Sequence, residues 1–145
     1  MVDRFNPPGM WQPNGRAFSQ GVVQGEGAVV HVTGQVAWDE HGNVVGAGDV
    51  GTQMDKAIDN IRMVLDEVGG RLADIVSLTI YFLDRADLPV IQRVRALHFP
   101  AETAPVSVLV QVPGLVLPEF LVELVPIAVV PDSRFVRPHR PEPRA

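Results

Sequence analysis

A chain of 145 residues with no cysteine and a formal net charge of −5 fits one domain around one core. Disulfides, thiolate chemistry and Cys-ligated metals are excluded, and a reducing compartment suits such a composition. The acidic balance argues against a nucleic-acid surface, which needs clustered Lys and Arg to neutralise phosphates.

The elements follow in chain order. Residues 1–14 are polar and rich in Pro and Gly, with neither a basic n-region nor an apolar core, and are expected to be an N-terminal extension rather than a signal peptide. Residues 17–24 and 28–38 are predicted as strands of a meander, turning at Gly25, Glu26 and Gly27. From Thr52 the period changes: Met54, Ala57, Ile58, Ile61, Leu65 and Val68 share one helical face. Thr52 with Asp55 is the expected N-cap pair, and Gly69-Gly70 the stop. Residues 74–83 alternate Val76, Leu78, Ile80 and Phe82 against Ser77, Thr79 and Tyr81, a strand with two unlike faces. Asp87 offers a cap for a second helix with Pro89 in its first turn, running to Phe99. Strands at 106–112 and 120–130 finish a domain spanning 15–131, and the Pro/Arg-rich segment 132–145 is expected to be a disordered tail.

Two helices and about six strands give an α+β architecture in which helices cover one sheet face only. The last strand is nevertheless apolar on both sides, with Phe120, Val122 and Leu124 on one and Leu121, Val125 and Ile127 beside Glu123 on the other. A bare sheet face of that kind exceeds what soluble monomers expose, so a homo-oligomer packed through its sheets is expected. No apolar run is long enough to span a bilayer, because Pro and Gly interrupt the C-terminal one. A cytoplasmic protein that binds neither membrane nor nucleic acid is the expectation.

The segments GRAFSQGV at 15–22, VTGQ at 32–35, AIDNIRMVLDEVGG at 57–70, DIVSLTIYFLD at 74–84 and LVELVPIAVV at 121–130 together resemble the Rid family, the YjgF/YER057c/UK114 group also called endoribonuclease L-PSP. The resemblance implies a chorismate-mutase-like fold: a six-stranded mixed sheet with two helices on one face, assembled as a homotrimer with pockets between subunits. It also implies hydrolysis of reactive enamines and imines to ammonia and a 2-keto acid, without metal or cofactor.

Carried over position by position, the resemblance breaks at the pocket. Where deaminases of the family read Pro-Ala-Arg-Ser, this chain has Ala104-Pro105-Val106-Ser107, so Val106 replaces the arginine that pairs with the substrate carboxylate. Where they read Glu-Ile-Glu-Ala-Ile-Ala, it has Glu123-Leu124-Val125-Pro126-Ile127-Ala128, so Val125 replaces the glutamate thought to orient water. Phe18 stands where a pocket tyrosine is usual. Losing one member of a buried ion pair costs about 3 to 5 kcal/mol, whereas replacing both with apolar groups is often neutral, so the two valines form a coherent double change.

The implied pocket comprises Phe18, Thr33, Gly34, Gln92, Val106, Ser107, Val108 and Val125, with the backbone near Thr33, Gly34 and Val108 able to hydrogen-bond a carbonyl or hydroxyl. Its ligand is expected to be small and mainly apolar. Glu123 is the remaining candidate general base, against a plainer reading in which it faces the channel between subunits. Gln92 reads either as a pocket group or as a solvated helix position. Gln35 is expected to be structural, bonding the turn after it, and Pro126 to mark a strand edge or bulge. His31, His41, His98 and His139 show no ligand spacing, so no metal site is expected. Three functions remain: a metabolite-binding protein without imine deaminase activity, a deaminase whose missing charge comes from Arg16 or a tail arginine of an adjacent subunit, and a scaffold or chaperone-like protein.

Overall fold

The computed structural model describes residues 2–140. In chain order its regular elements are β1 (Asp3–Phe5), β2 (Gly21–Val23), β3 (Ala28–His31), α1 (Val50–Asp66), β4 (Ile75–Phe82), α2 (Leu88–His98), β5 (Val106–Gln111) and β6 (Val122–Val130).

The periodic face of α1 becomes the centre of the core: Met54, Ala57, Ile58, Ile61 and Leu65 are fully buried, each large side chain contributing about 1.5 to 3 kcal/mol. The helix starts one turn earlier than expected. Its cap is Asp49, which accepts from the Thr52 amide at 3.1 Å and from Thr52 Oγ1 at 3.0 Å, and this cap overrides the poor helix propensity of Gly51. Gly51 is also a contact point, since a Cβ there would lie 3.1 Å from Val90 of α2. At the far end Gly69 takes φ 76° and the Gly70 amide donates to Leu65 O at 2.8 Å, the expected stop.

Four strands form one sheet in the order β3-β6-β4-β5. Strands β4 and β5 are parallel, joined by a crossover through α2, while β6 is antiparallel to both β3 and β4. Val122, Leu124, Leu78, Ile80 and Phe82 pack toward α1 and α2, so both helices cover one face. The α+β class, two helices and six strands agree with the expectation, but the strands divide between this sheet and a two-stranded ribbon of β1 with β2.

The start of the chain departs most from its reading. The meander strands shrink to three and four residues, and β2 pairs with β1 instead of β3. The Phe5 ring lies over Gly21, where any Cβ would come within 2.2 Å of it. Arg4 ties the ribbon down by donating to Ala104 O and Ala73 O. Residues 3–5 therefore belong to the folded body rather than to an extension.

The tail is corrected in the same way over its first residues. Arg134 donates to Gly69 O and to both carboxylate oxygens of Asp74, and the Val136 amide donates to Val68 O at 3.1 Å. Residues 141–145 of the expected tail lie outside the described residues. Pro126 sits in a central strand, not at an edge. Its carbonyl accepts from the Val32 amide at 3.3 Å, and in an antiparallel strand N and O of one residue point the same way. Its missing N–H thus faces the side where β3 has already ended at His31, and no ladder bond to β4 is lost. The bulge lies beside it, between Ile75 and Ser77. Among the described residues no helix is long and apolar enough to cross a membrane.

Candidate functional site

Strand alternation sends the complementary set of side chains to the face away from the helices. There the register aligns Val125, Thr79 and Val108 in one row, Ile127, Ser77 and Val106 in the next, and Glu123, Tyr81 and Val110 on the other side. Val108 is 53% exposed and Val29 of β3 47%, so this face is apolar and bare in a single subunit. Val125 lies directly opposite Thr79 and Val106 diagonally from it, opposite Ser77, and the rows through Ser77 and Thr79 present hydroxyls but no charge.

Glu123 occupies the rim of the same face, two residues from Val125. Its carboxylate rests on the backbone of Gly34, where a Cβ would lie 2.9 Å from the carboxyl carbon. The glycine of the VTGQ segment is thus the seat of the acid. Gln35 holds that segment in place: its amide and carbonyl exchange bonds with Leu124 at 2.8 and 3.0 Å, and its side chain donates to Thr33 O at 3.2 Å. The bond runs back two residues instead of on to the following turn.

The helix side of β5 holds a second feature, a cleft of about 520 Å³ bounded by Trp11, Phe18, Gln92, Arg95, Ser107 and Leu109. Trp11 stacks on Phe18 with ring centroids 5.5 Å apart, and Arg16 lies 4.8 Å over the Trp11 ring, a cation–π contact. Arg95 of α2 is 4% exposed. Its Nη1 donates to Ser107 Oγ at 2.8 Å and its Nη2 to Gln92 Oε1, while its buried Nε has no partner. Burial pushes its guanidinium below the ordinary arginine value.

The implied pocket residues therefore separate within one subunit. Phe18, Gln92 and Ser107 meet in the helix-side cleft. Val106, Val108 and Val125 share the open face, with Gly34 beside Glu123 at its rim. The sequence reading passed over Arg95 because a charge on a helix ordinarily marks a solvated position. Its spacing is the available signal: four residues after Ile91 and next to Val94, it falls on the buried face. Of the histidines, His98 joins Asp55 at 2.9 Å and Arg62 at 2.8 Å. Among the described residues, no three His, Asp or Glu side chains converge as metal ligands.

Comparison with known proteins matches this arrangement to one family. The model of the family described as endoribonuclease L-PSP matches residues 12–130. The 3-aminoacrylate deaminase RutC of Acinetobacter baylyi is 38% identical over 102 residues, covering 70% of this chain and 79% of that protein. The crystal structure of YyfB from Yersinia pestis, a Rid-family protein of unknown function, superposes with a TM-score of 0.79 at 31% identity, covering 89% of this chain and 98% of that one. Rv2704 of Mycobacterium tuberculosis, a member of the YjgF/YER057c/UK114 family, gives 0.63 at 30% identity over 78% of this chain and 86% of its own. With its sheet, helices and pocket segments all inside the matched region, the chain belongs to the endoribonuclease L-PSP family, the Rid or YjgF/YER057c/UK114 group.

Proposed function

We propose that this protein is a Rid-family homotrimer that binds a small, mainly apolar metabolite in pockets between subunits and lacks the standard imine deaminase chemistry. One observation carries the reading: Val106 and Val125 flank Thr79 on the open sheet face, at the positions where the family pattern has a carboxylate-gripping arginine and a water-orienting glutamate. Without the arginine, a carboxylate substrate forfeits about 1.5 to 3 kcal/mol of charge-assisted hydrogen bonding, roughly tenfold to 150-fold in affinity. The bare apolar face, which further copies of the chain would cover, supports an oligomer, and the family resemblance supports three copies.

A second reading has its own support. RutC is a 3-aminoacrylate deaminase, and Arg16 lies beside Phe18 in the helix-side cleft, so an enamine deaminase could draw its cation from there and its base from Glu123. Ammonia release from 2-iminobutanoate, generated in solution by an amino-acid oxidase, separates the two. The first reading expects no release above the protein-free rate, and turnover at the rate of an arginine-bearing relative supports the second.

A further inference from the structure

Between α1 and the segment 35–40 lies a hollow of about 480 Å³ that shares no residue with the helix-side cleft or with the implied pocket. Its volume falls within the range of small-molecule sites. Its walls are held in place from both sides. Asn60 of α1 donates to Val36 O and Trp38 O, both at 3.1 Å. Trp38 pairs with Val44 in an isolated β-bridge, and its ring meets buried Phe120 edge-on with centroids 5.8 Å apart. The segment is thereby fixed against the helix while Trp38 stays 41% exposed.

The polar groups of this hollow are acceptors almost throughout. Gln35 is 8% exposed, and its Nε2 donates to Thr33 O, but among the described residues nothing donates to its Oε1. The one fully buried side-chain N or O atom without a partner is Arg95 Nε, so Gln35 Oε1 is open to the hollow its residue lines. Asn60 likewise directs its NH₂ to carbonyls and leaves its Oδ1 unbonded. Asp39 Oδ1 accepts from the His41 and Asn43 amides at 2.9 Å each, leaving Oδ2. The Asn43 amide foremost, then the His41 amide, with Lys56 adding attraction, hold the Asp39 carboxyl below its ordinary value, so it is charged at neutral pH. Glu40 adds a second carboxylate, and Lys56 is the one cation of the lining and forms no ion pair with the described residues. Two carboxylates against one ammonium leave the lining with a formal charge of −1.

Unfilled acceptors and net negative charge call for a ligand that brings both N–H donors and a positive charge, and an exposed indole attracts such a cation over its ring face. Met63, 68% exposed, and Val64, 38% exposed, add an apolar wall on the outer side of α1. We infer that this hollow binds a small organic cation, a primary ammonium carrying an apolar group. Trp38, Met63 and Val64 surround the apolar group, while Asp39, Glu40 and the amide oxygens of Gln35 and Asn60 receive the ammonium. Lys56 competes with the ligand for the two carboxylates. The inference goes beyond the preceding reading and uses none of the residues on which that reading rests.

The test is titration calorimetry of the full chain at neutral pH with benzylamine, which is then protonated, with its uncharged counterpart benzyl alcohol, and with benzyltrimethylammonium, which carries the charge but no N–H. Benzylamine is expected to bind at least about threefold more tightly than either of the others. Asp39→Asn/Glu40→Gln keeps the shape of the hollow and removes its negative charge, so the preference for benzylamine over benzyl alcohol is expected to vanish. Lys56→Gln removes the competing cation and is expected to enlarge that preference. Trp11→Phe leaves Trp38 as the sole tryptophan, and its emission is expected to change on adding benzylamine, which places the probe. Equal binding of benzylamine and benzyl alcohol, equal binding of benzylamine and benzyltrimethylammonium, a Trp38 emission that does not respond, or a preference retained in Asp39→Asn/Glu40→Gln would each overturn the inference. The wild-type comparison of the three probes stands even if a variant does not fold. Ammonia release is a separate readout, so failure here is distinguishable from failure of the proposed function.

Discussion

Arg134 and Asp74 form a two-pronged ion pair, Nη1 to Oδ2 at 2.9 Å and Nη2 to Oδ1 at 2.5 Å, that fastens the chain after β6 onto the turn before β4. The side chain of Asp74 is 9% exposed and that of Arg134 26%, so water screens the pair only partly. Gly69 permits the approach, since a Cβ there would lie 2.0 Å from Arg134 O. Arg134→Ala leaves Asp74 with its bond from the Arg71 amide and is expected to destabilise by about 1 to 3 kcal/mol. A urea denaturation midpoint unchanged from wild type would show that the segment is not fastened there.

Gln53 makes a comparable tie from inside α1. It is fully buried, donates to Gly46 O and Glu119 O, and accepts from the Leu121 amide at 2.8 Å. Gln53→Leu keeps the volume but strands those backbone groups, and a loss of about 1 to 3 kcal/mol is expected. Hydrogen exchange checks the cause: the Leu121 amide should exchange faster in the variant, by more than amides on β3.

The Asp49 cap gives a pH dependence with a defined sign. The Thr52 backbone N–H and then the Thr52 hydroxyl hold the Asp49 carboxyl below its ordinary value. Its contribution is therefore complete above the unfolded carboxylate range, about pH 4, and is lost as pH falls through the lower folded value. Wild type is expected to melt above Asp49→Ala at pH 7, with the gap closing on acidification. Asp49→Asn caps without titrating, so its melting curves should lack this part of the acid loss.

Val108 tests the assembly. It is exposed on the bare face, so Val108→Arg should leave the subunit fold intact while placing a charge where copies of the chain would meet. Light scattering is expected to give a trimer mass for wild type and a smaller one for the variant. A monomeric wild type at micromolar concentration would remove the trimer from the account.

Much of this molecule is readable in its residues, for identifiable reasons. Helix α1 follows from six apolar positions at helical spacing and a glycine stop, both local signals. Strand β4 follows from alternation, and β5 and β6 from apolar runs on either side of a Pro/Gly loop; strand parity then places Val106 and Val125 on one face. The ribbon of β1 with β2 was not readable, because its pairing depends on Phe5 meeting Gly21 across 16 positions of chain. Arg95 escaped for a different reason. Residue type argued for solvent while position argued for burial, and only the packed structure shows that position prevailed.

Whether Val106 and Val125 have replaced the deaminase chemistry is tested most directly by the rate of ammonia release from 2-iminobutanoate by wild type and by Val106→Arg/Val125→Glu, assayed side by side. Wild type is expected at the protein-free rate and the double variant measurably above it. A wild type that turns over as fast as an arginine-bearing relative, with no gain in the double variant, would contradict the account.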